Sequence, residues 1–293
     1  MLLFHMLWTT AITKIVSYLP LGLRTRQGIG LVMVQMAWRL ALWFSPWISL
    51  EATEDFSEQW SLIHSFMAEA HAEAVEKGEP LKPLFVLGNH QSFCDIIFAV
   101  VTTPLQAIWR SRTYMDYHLF KLPVLSTICR SVGHFPVYFK TTEPGVFKVD
   151  AEKMAEVEKE VDVHLSEGGL LCFYPEGQTN KNPDTLLPFR YGGMKKALDF
   201  DARIVNLVFH GNQTVWPLKF QMGGYPCKVR YSIRPFAPQG AKAFVEMARA
   251  EGVKEEREME DHVLLARRAH ELMQVQYDAL AGMASKANGK KKA

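Results

Sequence analysis

Two apolar stretches open the chain, Met1–Ile12 and Ile29–Leu50, with Ile15–Leu23 and a basic turn, Arg24–Gly28, between them. The second stretch has the roughly 20 residues that a bilayer crossing needs, although Arg39 is costly at its centre. No positive n-region precedes the first stretch and no small-residue cleavage site follows it, so a secretory signal peptide fits poorly. Two crossings would put the basic turn in the cytoplasm and leave the rest of the chain on the opposite side. A pair of helices lying in, or dipping into, the cytoplasmic leaflet avoids that conflict and is the expectation. A single true span and a buried helical layer are the alternatives. Trp38, Trp43 and Trp47 suit an interface or a core equally.

Beyond Leu50 the pattern alternates. Glu51–Gly78 is polar with Trp60, Ile63 and Phe66–Met67 at near-helical spacing, and Pro80 and Pro83 close it. Leu84–Leu87 reads as a short buried strand, Ile96–Val101 as a helix and Ala107–Trp109 as the next strand. His134–Phe139 reads as a strand and Val149–Ser166 as a charged amphipathic helix ended by Gly168-Gly169. Leu170–Tyr174, Ile204–His210 and Val229–Pro235 are further strands, Met194–Asp199 is helical, and 241–281 is mostly helical with a break near Gly252. Strands alternating with helices predict an α/β fold with a mixed sheet flanked by helices, preceded by an N-terminal hydrophobic helical membrane-associating segment. The expected division is 1–50 for the membrane-associating helices and 51–240 for the α/β domain. Residues 241–293 then hold C-terminal helices and a basic tail.

Composition narrows the function classes. The 293 residues are 48% hydrophobic and 22% charged, too apolar for a disordered chain. A net charge of +2 lacks the basic excess of a nucleic-acid binder, yet residues 1–50 hold Lys14, Arg24, Arg26 and Arg39 and no acid. Cys94, Cys129, Cys172 and Cys227 are scattered without a CxxC pair, which argues for reduced thiols rather than a disulfide or zinc scaffold. Rossmann and Walker glycine motifs, Gly-x-Ser-x-Gly and HExxH are all missing from the sequence.

Two segments carry chemistry. Gly88–Asp95 (GNHQSFCD) follows a buried strand, where open α/β sheets place their sites. A His in the loop and an Asp at the start of the following helix can form a dyad in which the carboxylate fixes the imidazole tautomer. The plain alternative is that Asn89 or Ser92 caps the helix and His90 satisfies a backbone group. A metal site of His90, Cys94 and Asp95 would lack a supporting ligand cluster. The second segment, Phe173–Asn180 (FYPEGQTN), sets a carboxylate before a glycine turn. It suits a substrate clamp or an ordinary turn.

Together these segments resemble the glycerolipid acyltransferases, the family of 1-acyl-glycerol-3-phosphate acyltransferases. Asn89-His90-x-Ser92-x-x-Asp95 is similar to that family's NHxSxxD block, and Pro175-Glu176-Gly177 to its FPEGT-type block. Lys121-Leu122-Pro123 and Gly133–Val137 resemble the elements between them, and Pro188–Gly193 the glycine-containing turn that follows. The order and spacing agree over roughly residues 84–215. There are departures: Lys140 stands where the family often has Arg, Gln178-Thr179-Asn180 where it has Thr-Arg-Ser, and Ile204–Val208 lacks the family's proline.

The resemblance implies an O-acyltransferase with acyl-CoA as donor and no tightly bound cofactor or metal. His90 would be the catalytic base and Asp95 its orienting partner. Glu176, Gly177, Lys140 and Arg190 would bind substrate. It also implies a lysophospholipid acceptor, foremost 1-acyl-sn-glycerol-3-phosphate giving phosphatidic acid. The missing arginines leave lysophosphatidylcholine or lysocardiolipin as alternative acceptors, and a non-catalytic membrane lipid-binding protein as the reading from another class. Membrane lipids are expected partners and nucleic acid is not. The tail Lys290-Lys291-Lys292-Ala293 is similar to dilysine retrieval signals. Read so, and with the apolar N-terminus, the expectation is the endoplasmic reticulum membrane with the catalytic domain facing the cytoplasm; a solubilising tail is the alternative.

Overall fold

The computed structural model describes residues 2–143, 146–220, 223–252 and 254–290. The chain begins with helices α1 (Leu2–Ser17) and α2 (Leu23–Trp43), strand β1 (Ile48–Ala52), helix α3 (Phe56–Lys77) and strand β2 (Leu84–Gly88). Helices α4 (Asp95–Thr102) and α5 (Leu105–Ile108), strand β3 (Ser111–Asp116) and helix α6 (Pro123–Ser131) follow. Next come strands β4 (Phe135–Val137), β5 (Phe139–Glu143) and β6 (Val146–Val149), helix α7 (Ala151–Ser166) and strand β7 (Leu170–Phe173). The remainder is α8 (Tyr191–Asp199), β8 (Arg203–His210), α9 (Asn212–Val215), β9 (Cys227–Ala237), α10 (Ala241–Glu251), α11 (Lys254–Arg257) and α12 (Asp261–Lys290). These elements fall into two units: Met1–Ser45 with Val100–Cys172, and Pro46–Ala99 with Phe173–Ala293.

In the first unit β3 pairs in parallel with both β4 and β7, and β5 and β6 form an antiparallel hairpin. Helix α7 starts at an Asp150 N-cap whose carboxylate accepts from Lys153 N. It buries Met154, Val157, Val161 and Leu165, an i, i+3, i+4 stripe. The strand expected at Ala107–Trp109 is helix α5 instead. Pro104 caps it, its carbonyl accepting from the N–H groups of Ala107 and Ile108, and the strand starts only at Ser111.

The N-terminal stretch departs from the expected membrane helices. No helix among the described residues is long and apolar enough to cross a membrane. The Ile29–Leu50 run is not one helix: α2 ends at Trp43 and the chain re-enters as β1. Arg24 and Arg26, expected in a turn, lie within α2 itself. The polar residues inside the run also have specific partners. Gln35, fully buried, donates to the carbonyls of Val100 (2.6 Å) and Thr103 (2.5 Å), and Arg39 Nε donates to Val101 O (3.1 Å). The Val100 and Val101 carbonyls belong to the C-terminal end of α4 and Thr103 follows it directly; that end lacks intrahelical donors and favours a cation. Leu31, Val34, Ala37, Trp38 and Ala41 are buried along the same helix. The N-terminal stretch is therefore a packed helical layer without a membrane-spanning helix, and the assignment to the endoplasmic reticulum membrane as an integral protein falls with it. Lys291, Lys292 and Ala293 of the basic tail lie outside the described residues.

The second unit holds a mixed sheet in the order β1-β9-β8-β2. β1 runs parallel to β9, β9 antiparallel to β8, and β8 parallel to β2. All five residues of β2 are buried, as its uninterrupted apolar run requires. Helix α12 covers the sheet with Leu265, Ala269, Met273, Tyr277 and Leu280, all at most 2% exposed. Because β2 and β8 are parallel, their C-terminal ends share one edge, and the chain segments leaving them meet there.

Candidate active site

The edge is built first by a side chain that imitates backbone. Asn89, the residue after β2, donates from Nδ2 to Phe209 O (2.9 Å) and accepts at Oδ1 from Phe209 N (2.8 Å). The amide thus supplies the next rung of the β2–β8 ladder while the main chain turns away. That turn frees the His90 N–H, which donates to Glu176 Oε1 (2.8 Å).

His90 and Asp95 meet. His90 Nδ1 lies 2.9 Å from Asp95 Oδ2, and the carboxylate is fully buried. The same oxygen accepts from the main-chain N–H groups of Gln91 (2.6 Å) and Ser92 (2.8 Å). Oδ1 accepts from Asn212 Nδ2 (2.7 Å). A carboxylate surrounded by donors only accepts, so Nδ1 carries the proton and Nε2 keeps its lone pair. Ser92 makes the turn that lets a five-residue step work: its Oγ accepts from Cys94 N (3.2 Å) and donates to Trp216 O (3.3 Å).

The imidazole is held on its face as well. Tyr174 stacks on it at 4.5 Å between centroids and 20° between planes. Gly88 permits this stacking, since a Cβ there would stand 2.8 Å from the Tyr174 ring. Burial pushes the Cys94 thiol up to about 12, with Asp95 adding to the effect, which keeps it protonated beside the dyad. No group of three His, Cys, Asp or Glu residues that could hold a metal occurs among the described residues.

Glu176 is 1% exposed and bound on both oxygens, by His90 N and by Leu187 N (2.9 Å). Burial raises its carboxyl above the ordinary value, partly offset by those N–H groups. Gly177 adopts φ +69°, and a Cβ there would lie 2.9 Å from Arg190 Cγ, so the turn and the Arg190 side chain adjoin. Arg190 is exposed, and its N–H donates to Pro175 O (2.7 Å). His90, Asp95, Glu176, Gly177 and Arg190 therefore all belong to the second unit, whereas Lys140 is an exposed residue of β5 in the first.

Sequence reasoning missed three contributors. Asn212 completes the shell of Asp95 from the far side of the sheet edge. Thr179, visible only as a departure from the family pattern, places Oγ1 3.2 Å from His90 Nε2. Tyr277 of α12 donates to Pro183 O and lies 3.2 Å from Gln91 Oε1, tying the C-terminal helix to both site loops. For Asn212 a signal existed: a Gly-Asn pair directly after a strand parallel to β2.

Gly211 sets that position. It has φ +95°, and a Cβ there would strike the carbonyl oxygen of Lys228. Gly211→Ala is expected to destabilise the protein by about 2–3 kcal/mol. The check is urea unfolding, where the midpoint should fall at unchanged m-value.

Residues 69–210 match the family model described as Acyltransferase. No curated protein matches the chain in sequence. Among solved structures, the crystal structure of the 1-acyl-sn-glycerophosphate (LPA) acyltransferase, PlsC, from Thermotoga maritima is similar at 14% identity. It superposes with a TM-score of 0.58 over 94% of this chain and 90% of that one. At that identity the likeness speaks for the fold.

Proposed function

We propose that the protein, whose residues 69–210 match the Acyltransferase family model, moves an acyl group from acyl-CoA to the hydroxyl of a lysophospholipid. The observation that carries the proposal is the contact of His90 Nδ1 with the buried Asp95 carboxylate, which assigns the ring's tautomer. With Nδ1–H directed at Asp95 Oδ2 at 2.9 Å, Nε2 is a base on a fixed ring.

An alcohol is a poor nucleophile at neutral pH. As the acceptor oxygen attacks the thioester carbonyl carbon, His90 Nε2 takes its proton. The tetrahedral intermediate then collapses, the C–S bond breaks, and the leaving thiolate receives the proton from His90. Asp95 orients the ring and stabilises the imidazolium formed in between. Glu176 contributes by holding the main chain at His90 and Leu187 on the acceptor side, next to Gly177. For the acceptor's phosphate we favour Arg190 over Lys140, because it adjoins Gly177 in the same unit as His90.

As acceptor we favour 1-acyl-sn-glycerol-3-phosphate, giving phosphatidic acid. Thr179 at the turn, in place of a fork-shaped cation, keeps lysophosphatidylcholine and lysocardiolipin as the competing acceptors. The test is thiol release from acyl-CoAs of several chain lengths by the purified protein, against a panel of lysolipids. Release that depends on a lysolipid, fastest with lysophosphatidic acid, is the expected result. Lysolipid binding with no thiol release for any pair would overturn the enzyme reading.

A further inference from the structure

We propose that Thr179 is a specificity-determining residue, its hydroxyl occupying the seat at His90 Nε2 that the acceptor's hydroxyl takes during reaction. The inference rests on the reading of His90 as the base. Asp95 claims Nδ1–H, so the only lone pair of the neutral ring lies at Nε2, in the ring plane. Thr179 Oγ1 is 3.2 Å away and donates to it. A hydroxyl that gives its proton to this nitrogen must come within about 2.6–3.2 Å of it. Thr179 and an acceptor therefore exclude one another.

Neither partner can avoid the competition by a large movement. The ring is fixed by Asp95 and by Tyr174 on its face. The main chain beside Thr179 is fixed by Asn180, whose N–H donates to His90 O at 2.6 Å and whose side chain bonds Thr185 O and Asn182 N. The hydroxyl leaves by rotation about χ1, between staggered wells. A lysolipid that fills the site can drive that rotation; a lone water gains less from doing so. In the absence of acceptor the base is thus kept from activating water against the thioester, a reaction that would yield a free fatty acid and thiol.

The experiment compares wild type, T179V and T179S. T179V removes the hydroxyl and with it the hydrogen bond that holds this χ1 rotamer against Nε2, so the side chain turns away freely; T179S keeps the hydroxyl. In T179V, acceptor-independent thiol release with matching free fatty acid should rise several-fold. Its acceptor KM should fall about fivefold, the worth of one neutral hydrogen bond. T179S should behave as wild type. Unchanged partition and KM in T179V would overturn the proposal. So would loss of all release in T179V with an acyl adduct on Thr179 in wild type, which would make Thr179 a nucleophile instead.

A second measurement needs no substrate. Carbethoxylation of His90 by diethyl pyrocarbonate, followed by peptide mass spectrometry, reads access to its free ring nitrogen. It should run several-fold faster in T179V than in wild type or T179S, and equal rates overturn the seat. If wild type releases no thiol with any lysolipid, the functional reading fails while this measurement still decides the role of Thr179.

Discussion

His90→Ala should abolish lysolipid-dependent thiol release, a fall of about 10²–10⁴-fold attributable to the lost base. The fold should survive, because the main chain at this position is held independently of the ring. Its N–H donates to Glu176 Oε1 and its carbonyl accepts from Asn180 N. Unfolding midpoint and release rate therefore separate in this variant. A midpoint close to wild type with no release identifies loss of chemistry. Release persisting within a factor of a few would remove His90 from the mechanism.

Asp95→Asn should come close to it in effect, about 10²–10⁴-fold in kcat with the acceptor KM nearly unchanged. The surroundings accommodate the amide. Its oxygen can keep the N–H groups of Gln91 and Ser92 and the Nδ1–H of His90. Its new NH₂ then faces Asn212, whose Oδ1 is buried without a partner and becomes the acceptor if that amide turns over. What disappears is the charge that stabilises the imidazolium. Removing Asn212 as well leaves the amide without that acceptor, so the double variant should lose stability that the single variant retains. A wild-type kcat in Asp95→Asn would show that the carboxylate is a scaffold only.

Much of the fold was legible along the chain because it depends on local pattern. The buried run Leu84–Leu87 is β2, Ile204–His210 lies within β8, and the charged stripe before Gly168 is α7. The His90–Asp95 pairing was legible for the same reason, since it needs one loop and one helix start. Asn212 was not, because its partner is 117 positions away and only the parallel register of β2 and β8 brings them together. The N-terminus misled for a different reason. Apolar content describes what a helix can bury but not against what, and the decisive partners of Gln35 and Arg39 are carbonyls of Val100–Thr103. Ala107–Trp109 failed more simply, because Pro104 starts a turn of helix there that the short apolar run cannot reveal.

The second unit is assembled from two separate stretches of chain, and this governs when its chemistry can exist. Ile48 pairs with Cys227, and Asp95 waits for Asn212. Pairings this distant in sequence must close long loops before they gain anything, which slows folding. During synthesis His90 emerges well before Glu176, Asn212 and Tyr277 are made. A site that needs Asn212 and Tyr277 as well as His90 is therefore complete only in a late step, after β8, β9 and most of α12 have left the ribosome.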